Sequence, residues 1–566
     1  MAFAIGLDYG TNSVRSLVVD TADGSELGSC IHEYETGQAG IMLDPADHNV
    51  ARQNPADYLK GIELTVIGAI AEAKENNPGF DPNEIIGIGV DTTGSSPLPV
   101  NEQGIPLSML DEFKDNPNAY VWLWKDHTSY VEAKNITEIA AKERPQYLAK
   151  CGGTYSSEWF FSKLWHCLNV APEVFDAAHS WVEYCDWLTA VLSGNDSEPT
   201  QLKRSRCAAG HKAMFCDSWG GLPDKEFLAM LDPKLADLRD RLYDETYAID
   251  TVAGNLTQDW ADKLGLKAGI PVAVSAFDAH LGAVGSGASP GKMVKVLGTS
   301  TCDLMVSDDS TPLEDIPGVC GIVDGSVLPG FFGIEAGQSA VGDIFNWFVN
   351  YIEPGGKENG SHEALNEKAL ALNPGQSGLI ALDWNNGNRT ILVDQRLTGL
   401  LIGQTLHTKP EEIYRALVEA TAFGALTIIN RIEEYGVKID EVINCGGIAE
   451  KSPLVMQIYA DVTGRDMKIS RSAQTCALGS AIAAAVVAGS AAGGYDDFGA
   501  AVEAMTGVKE IVYKPIPENQ AVYANLYNLY KQLHDGFGVA DNSIGMANVM
   551  KELLEIKEEA WNVGRI

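Results

Sequence analysis

Two segments of this chain share one pattern, in which apolar residues flank a short turn rich in Gly, Ser, Thr and Asn. The first spans residues 4–20 with its turn at 10–13, and the second spans 293–306 with its turn at 298–301. Apolar runs on both sides of such a turn predict a β-hairpin whose strands are buried on both faces. Because the pattern recurs 288 residues later, from Gly10 to Gly298, it predicts an internal duplication with one α/β lobe for each copy.

The length of the chain agrees with a duplication. Its 566 residues exceed the roughly 250–300 at which a single hydrophobic core stops growing, and 45% of them are apolar. Strands and helices alternate, as where residues 85–90 follow a helical stretch at 55–74, which predicts an α/β architecture. We therefore predict an N-terminal lobe of residues 1–267 and a C-terminal lobe of residues 268–566.

Two regions depart from the simple alternation. Residues 117–250 are rich in Trp, Tyr and Cys and in loop signals, and we predict that they elaborate a substrate pocket in the N-terminal lobe. From about residue 518 to 566 the pattern is helical, with charge runs typical of solvated faces.

The charge of the chain argues against a nucleic-acid partner. Lys and Arg total 41 against 77 Asp and Glu, which gives a net charge of −36. Binding nucleic acid requires basic patches that neutralise phosphates. We interpret the acidity as a contribution to solubility.

The sequence also argues against a membrane or secreted protein. An acidic residue appears at Asp8 with no basic region before it, unlike a signal peptide. Residues 476–494 are rich in Ala and Gly, which predicts a helix packed closely on a sheet rather than a membrane span. The ten cysteines form no C-x-x-C pair and are too scattered for a disulfide framework or a zinc site. We expect a cytoplasmic protein without a membrane partner.

Phosphates would have to be bound without the common nucleotide motifs. Neither G-x-x-x-x-G-K-[ST] nor a strand leading into G-x-G-x-x-G occurs. The two hairpin turns offer another route, because backbone N–H groups and hydroxyls in such a turn form an anion nest. Asp8, just before the first turn, is placed to hold Mg²⁺ directly or through water, and Arg15 beyond it is a candidate phosphate cation. Each turn alone is compatible with an ordinary hairpin, but two of them facing across a cleft would clamp a triphosphate.

Two further positions follow predicted strands. Asp278 comes directly after a buried strand, where a carboxylate faces the ligand cleft of an α/β lobe and could act as a general base. Its alternative role is that of a helix N-cap. Gly446 and Gly447 follow the strand at 441–445 and would let an adenine ring approach the backbone, or else form only a tight turn.

Two polar clusters fall in or near the elaborated region. Within residues 122–127, Trp124 could stack on a polyol while Asp126 accepts its hydroxyls; the alternative is a buried aromatic cluster. Four potentially cationic side chains lie within nine residues of each other: Arg204, Arg206, His211 and Lys212. They could bind a ligand or form a solvated surface.

Several of these residues together match a known family. They are residues 6–15 (GLDYGTNSVR), Asp278 after its strand, residues 297–301 (LGTST), and Gly446-Gly447-Ile448 followed by Ser452, Gln457, Asp461 and Gly464. From about residue 3 to 535 the chain resembles the FGGY carbohydrate kinases of the actin/hexokinase/Hsp70 ATPase superfamily. Five more segments are similar to the members that phosphorylate L-ribulose: 89–95 (GVDTTGS), 123–128 (LWKDHT), 155–160 (YSSEWF), 207–212 (CAAGHK) and 335–340 (EAGQSA).

The resemblance implies two ribonuclease-H-like lobes that close over ATP, Mg²⁺ and a sugar in the cleft between them. It implies that Asp278 is the general base and that Asp8 and Asp278 help to place Mg²⁺. The implied nucleotide-binding residues are Gly10, Thr11, Asn12, Ser13, Arg15, Gly298, Thr299, Ser300, Thr301, Gln338, Gly446 and Gly447. The sugar site would consist of Ser95, Ser96, Lys212, Glu335 and Asp278, together with Trp124 and Asp126 named above.

The activity implied is transfer of a phosphoryl group from ATP to O5 of L-ribulose, an initial step of L-arabinose catabolism. Another ketopentose or a pentitol stays open as substrate, since one pocket contact is worth only a few kcal/mol. More remote alternatives are a non-catalytic ATP switch and a sugar sensor, neither of which would need both Asp8 and Asp278. The resemblance leaves a homodimer open.

Overall fold

A computed structural model describes residues 1–308, 313–356, 360–539, 546–547 and 550–551. The strands are β1 (Phe3–Tyr9), β2 (Ser13–Asp20), β3 (Glu26–Glu33), β4 (Met42–Asp44), β5 (Asp47–Gln53), β6 (Ile85–Thr92), β7 (Pro97–Val100), β8 (Val121–Trp122), β9 (Ser180–Glu183), β10 (Val252–Asn255), β11 (Pro271–Ala273), β12 (Ala276–Phe277), β13 (Lys292–Leu297), β14 (Thr301–Asp308), β15 (Gly321–Asp324), β16 (Phe331–Ala336), β17 (Ile380–Leu382), β18 (Leu400–Ile402), β19 (Glu441–Cys445), β20 (Met467–Ser470) and β21 (Val508–Tyr513).

The helices alternate with these strands. They are α1 (Pro55–Asn76), α2 (Tyr130–Glu143), α3 (Gln146–Ala149), α4 (Phe160–Val170), α5 (Pro172–Ala177), α6 (Tyr184–Ser193), α7 (Arg206–Lys212), α8 (Lys225–Leu231), α9 (Pro233–Leu238), α10 (Gln258–Leu264), α11 (Asp278–Gly285), α12 (Gly342–Trp347), α13 (His362–Leu370), α14 (Pro410–Glu434), α15 (Gly447–Lys451), α16 (Pro453–Thr463), α17 (Thr475–Ala488), α18 (Phe498–Met505) and α19 (Pro517–Gly538). Of the predicted C-terminal helices, α19 is present, and residues 540–545, 548–549 and 552–566 lie outside the described residues.

Both hairpins form, and each lies at the centre of a seven-stranded mixed sheet. In the first sheet the order is β10-β11-β6-β1-β2-β3, with β12 also pairing with β6. In the second the order is β15-β16-β14-β13-β19-β20-β21. The first strand of each hairpin pairs antiparallel with the second and parallel with a later strand, β6 or β19. The two sheets therefore repeat one topology, which confirms the predicted α/β duplication.

Helix α17 follows β20 of the second sheet in the chain but packs against β1 and β6 of the first sheet, and it is the small-residue helix that the sequence predicts. A Cβ atom on Gly6 would lie 1.7 Å from the carbonyl oxygen of Ala477, and one on Gly89 would lie 1.9 Å from that of Ser480. Only glycine in β1 and β6 therefore lets α17 lie this close to the first sheet. No helix among the described residues has both the length and the apolar character needed to cross a membrane.

The boundary between the lobes lies later than the sequence-based division at 267/268. Strands β11 and β12 both pair with β6 of the first sheet, and α11 follows directly from β12. The chain enters the second sheet only at β13. The loop before Pro271, where the sequence-based division falls, connects α10 and β11, which are both elements of the first lobe.

The elaborated region of the N-terminal lobe has a core of its own. Aromatic side chains from residues 107–243 pack there, among them Trp122, Trp159 and Trp181, each at most 5% exposed. The high Trp and Tyr content of this region is thus used largely for packing.

Candidate functional site

Three carboxylates meet at the carboxyl ends of neighbouring strands. Asp8 at the end of β1 lies in register with Asp91 at the end of β6. Strand β12 pairs with β6 beside Asp91 and leads directly into Asp278. Ligands of open α/β sheets bind at this edge.

Asp8 and Asp91 are neighbouring carboxyl groups whose ionisation is linked. Asp91 is fully buried and accepts a hydrogen bond of 2.7 Å from Ser480 Oγ. Burial, together with the neighbouring Asp8, raises the pKa of Asp91 well above its usual range. Burial also raises the pKa of Asp8, although Arg15 Nη1, 3.3 Å from Asp8 Oδ2, opposes that rise. Two adjoining carboxylates do not both ionise readily, and the rise in pKa is opposed by Arg15 only at Asp8.

Asp278 is the first residue of α11, and its carboxylate is held by the backbone. Its Oδ1 atom accepts a hydrogen bond of 2.7 Å from the N–H of Ala279. Burial raises the pKa of Asp278 to about 7, and the nearby Asp8 carboxylate adds to this. A carboxylate with a pKa near neutrality is well matched to accept a proton at physiological pH.

The raised pKa of Asp278 predicts a pH profile for any reaction in which it is the base. The active form is the ionised one, so kcat/KM should be level above about pH 7. Below that pH it should fall about tenfold per pH unit as the carboxyl group takes up its proton. Initial rates between pH 5 and 9 test this, with unfolding followed by fluorescence at each pH as control. A profile that stays flat down to pH 5 would contradict the assignment.

The two hairpin turns leave room for a ligand. Each turn is closed by one backbone bond, from Gly10 N to Ser13 O and from Gly298 N to Ser300 O, both of 3.0 Å. A Cβ atom on either glycine would meet nothing closer than 3.5 Å. Packing within the chain therefore does not require glycine at these positions, whereas close approach of a phosphate to the backbone would.

The other predicted residues of the first turn are partly engaged within the protein. Thr11 Oγ1 accepts a bond of 3.0 Å from Trp124 Nε1, and Asn12 Nδ2 donates to Ala39 O at 2.7 Å. Arg15 is held by Asp8 at 3.3 Å. These contacts hold the turn in place.

On the C-terminal lobe the second turn is supported by Gln338. The N–H of Thr301 donates to Gln338 O at 3.0 Å, and the N–H of Gln338 donates to Thr301 Oγ1 at 2.9 Å. The side-chain amide of Gln338 donates to Asp383 and to the carbonyl of Thr421. Its contacts therefore brace this turn from behind. The backbone carbonyl of Thr299 accepts from the start of α12.

The fold requires glycine at position 446 but not at position 447. Gly446 has φ +92°, and a Cβ there would lie 2.5 Å from the carbonyl oxygen of Leu297. A Cβ on Gly447 would meet nothing within 4 Å. Gly446 thus makes the tight turn between β19 and α15, and Gly447 is the one that leaves space for a flat ligand.

Lys212 and Glu335 form a buried ion pair at the cleft. Lys212 Nζ lies 3.1 and 3.0 Å from the two carboxylate oxygens of Glu335, and Arg389 donates to Glu335 Oε1 as well. Burial by itself would raise the pKa of Glu335, but Lys212 and Arg389 outweigh it and hold that pKa well below its usual range. The ammonium lies 5.5 Å from the ring centroid of Trp159 and 5.9 Å from that of Phe277, the residue before Asp278. Among the four cationic residues, the solvated-surface alternative is wrong for Lys212.

The other cationic residues of that stretch are also mostly internal. Arg204 and His211 are buried, at 1% and 2% exposure. Arg206 lies 3.0 Å from Asp217 and 3.5 Å from Asp324 in salt bridges.

Ser95 and Ser96 are held by a buried network. Ser95 Oγ and the N–H of Ser96 both bind the carboxylate of Glu183. Lys163, which is fully buried, donates to the carbonyl oxygens of Ser95, Trp122 and Leu123 at 2.7, 3.2 and 2.9 Å. This lysine fixes two segments of the predicted pocket to one another.

Trp124 and Asp126 differ in burial and in their hydrogen-bond partners. Trp124 is half-buried, and its backbone N–H donates to Ser96 Oγ at 3.0 Å. Asp126 is fully buried, with its carboxylate bound to Arg52, to the N–H of Ala51 and to Thr128. Because its oxygens are used inside the fold, the structure corrects our expectation that Asp126 accepts sugar hydroxyls: it is a structural residue.

Sequence reasoning missed several residues of this site. The sequence does contain a signal for Asp91. Strand β6 carries this acid near its end, and parallel pairing of β6 with β1 places the acid next to Asp8. Lys163, Glu183 and Arg389 had none, because each reaches the site from a distant segment without a motif around it.

The family model of the FGGY carbohydrate kinases matches the chain in two parts. The N-terminal domain of that family matches residues 3–285, and its C-terminal domain matches residues 293–488. With the duplicated fold and the carboxylates at its sheet edge, the chain belongs to the FGGY family of carbohydrate kinases.

Relatives within the family are ribulokinases. The chain is 42% identical to the ribulokinase of Geobacillus thermodenitrificans, covering 99% of this chain and 98% of the relative. It is 43% identical to that of Bacillus licheniformis, covering 96% and 97%. A xylulose kinase structure from Rhodospirillum rubrum has the same fold, with a TM-score of 0.76 over 94% of this chain and 98% of that one at 21% identity.

Proposed function

We propose that this chain is a ribulokinase that transfers the γ-phosphoryl group of ATP to O5 of L-ribulose. The observation that carries the proposal is identity above 40% to ribulokinases along nearly the whole chain. The position of Asp278 at the sheet edge supports it, because a kinase needs a base beside the acceptor hydroxyl. We further propose that the reaction is an initial step of L-arabinose catabolism and takes place in the cytoplasm. A homodimer is compatible with this role.

Asp278 acts on the acceptor hydroxyl. Its ionised carboxylate takes the proton of O5 as that oxygen attacks the γ-phosphorus and the bond to the β-phosphate oxygen breaks. Phosphoryl transfer needs little covalent assistance, so most of the rate enhancement comes from placing the two reactants in line. The bond from the Ala279 N–H fixes the carboxylate for this role.

The sugar and the phosphates are held by different parts of the cleft. Lys212 donates hydrogen bonds to sugar hydroxyls, while Glu335 keeps the ammonium charged and oriented. The backbone N–H groups of turns 10–13 and 298–301 bind phosphate oxygens from the two lobes. Gly447 leaves space beside the adenine.

The residues present fit Mg²⁺. This hard cation prefers carboxylate oxygens and water, and nucleotide enzymes hold it with one or two carboxylates besides the phosphates. Asp8 and Asp278 are two such groups, and the pKa of Asp278 is raised partly by the charge of Asp8. Mg²⁺ bound there would neutralise charge on the phosphates.

Substrate choice tests the proposal. Among 2-ketopentoses and pentitols, L-ribulose should give the highest kcat/KM in a coupled assay of ADP release. Glycerol should be a poor substrate, since it is too short to reach both ends of the pocket. The same assay without sugar measures background ATP hydrolysis. A clear preference for D-xylulose or glycerol would overturn the assignment.

A further inference from the structure

A cluster of three metal-ligating side chains lies next to the Lys212–Glu335 pair. Cys207 and His211 stand four residues apart in α7, so they share one face of that helix, and His280 comes from α11. Their ligand atoms all lie within 4.8 Å of one another, and each of the three residues is only 2% exposed.

Several imidazole nitrogen atoms of this cluster lack hydrogen-bond partners among the described residues. Neither Nδ1 nor Nε2 of His280 has a hydrogen-bond partner among the described residues, and neither has Nδ1 of His211. His211 Nε2 is bound to Ser326 Oγ at 3.0 Å, so Nδ1 is the ring nitrogen of His211 that lacks a hydrogen bond. A buried polar atom without a partner costs free energy, so each such atom calls for an explanation.

Glu335 adds an oxygen at a spacing that fits a shared cation. Its Oε2 atom lies 3.4 Å from His211 Nδ1 and 3.8 Å from His280 Nε2. Bond lengths of about 2.0–2.3 Å around a tetrahedral Zn²⁺ place neighbouring ligand atoms about 3.3–3.8 Å apart. The ligand atoms of Cys207, His211 and His280, which lie within 4.8 Å of one another, would move closer together to reach that geometry.

We propose that Cys207, His211 and His280, with Glu335 as a fourth ligand, bind a thiophilic divalent cation of the Zn²⁺ class. A thiolate, two imidazoles and a carboxylate are all ordinary zinc ligands. The expectation that the scattered cysteines form no zinc site concerned cysteines alone, whereas this cluster combines one cysteine with two histidines. On binding, the Cys207 thiol releases its proton to solvent while the sulfur–metal bond forms.

Binding of the cation should compete with the sugar. Glu335 Oε2 is also 3.0 Å from Lys212 Nζ, so a cation on that oxygen displaces or repels the ammonium that orients the sugar. The positive charges of Lys212 and Arg389 oppose the cation in turn, which favours reversible binding over a permanent structural site. This competition rests on the proposed function, whereas the binding site itself does not.

Spectroscopy tests the site without reference to activity. Metal-free protein is titrated with Co²⁺, which reports thiolate ligation by a charge-transfer band in the near ultraviolet, and Zn²⁺ is then added. We expect a band at one equivalent that Zn²⁺ abolishes. Cys207→Ser should lose the band, and Cys167→Ser, a buried cysteine in α4, should keep it. No band in the unaltered protein, or an equal band in Cys207→Ser, overturns the site.

Kinetics then test the competition. At saturating Mg²⁺ and ATP, Zn²⁺ at its dissociation constant should raise the apparent KM of the sugar about twofold and leave that of ATP unchanged. Cys207→Ser should keep normal kinase activity in buffer that contains Mg²⁺ but no Zn²⁺, which shows that it folds, and should lose this inhibition. Inhibition that competes with ATP instead, or that persists in Cys207→Ser, overturns the proposed competition. If no sugar is phosphorylated at all, the proposed function fails while the Co²⁺ titration still decides the site.

Discussion

Replacing Asp278 with asparagine is expected to lower kcat by about 10²–10⁴-fold, the usual contribution of a general base. The amide has nearly the shape of the carboxylate, so the bond from the N–H of Ala279 and the start of α11 should be kept. It has no site for the proton of the attacking hydroxyl. Single-turnover rates at saturating ATP and L-ribulose measure the loss in the chemical step.

Binding controls separate a lost base from a damaged site. Asp278→Asn should bind ATP and the sugar with dissociation constants within a few-fold of the unaltered protein, measured by calorimetry. Asp259→Asn, which changes an exposed carboxylate in the first turn of α10, should leave kcat unchanged. Turnover of Asp278→Asn within a few-fold of normal would mean that another group accepts the proton.

The fold could be predicted because its strongest signals are local and repeated. Buried strands on both sides of a Gly/Ser/Thr turn define a hairpin wherever they occur, and two copies imply two similar sheets. The division between the lobes could not be placed as well. Strands β11 and β12 join the first sheet by pairing with β6, and no local composition reveals pairing between segments almost 200 residues apart.

The residues of the candidate site likewise include some that the sequence reveals and some that it does not. Asp8, Asp278 and the glycines of the turns are recognisable because each follows a strand or interrupts one. Asp126 looked like a sugar ligand because it lies in an aromatic, polar stretch, yet its partner Arg52 is 74 residues away in β5. Burial of a charge is decided by such distant partners, which a single sequence does not display.

Lys212 shows how the structure changes a prediction. From the sequence it is one of four nearby cations, and its ammonium is expected to donate to sugar hydroxyls directly. In the structure it is 5% exposed and already bonded to both oxygens of Glu335. Burial by itself would lower the pKa of Lys212, but Glu335 outweighs it and raises that pKa, so the ammonium stays charged.

Replacing Lys212 with methionine should therefore raise the KM of the sugar by about 10- to 150-fold, equivalent to about 1.5–3 kcal/mol for a charged hydrogen bond. The methionine keeps most of the apolar stem, and Arg389 still compensates the charge of Glu335, so the fold should persist. The KM of ATP should barely move. Steady-state kinetics with each substrate varied in turn measure both constants.

The matched control is Lys225→Met, because Lys225 also pairs with a carboxylate, Asp240, but at an exposed surface. An exposed pair contributes little, so this variant should change neither constant. If Lys212→Met likewise changes neither, Lys212 serves only to neutralise Glu335. A rise confined to the KM of ATP would place Lys212 on the nucleotide side of the cleft. The predicted result requires that the Lys212 ammonium contact the sugar while it is bound to Glu335. Only then does loss of the ammonium raise the KM of the sugar and leave the KM of ATP unchanged.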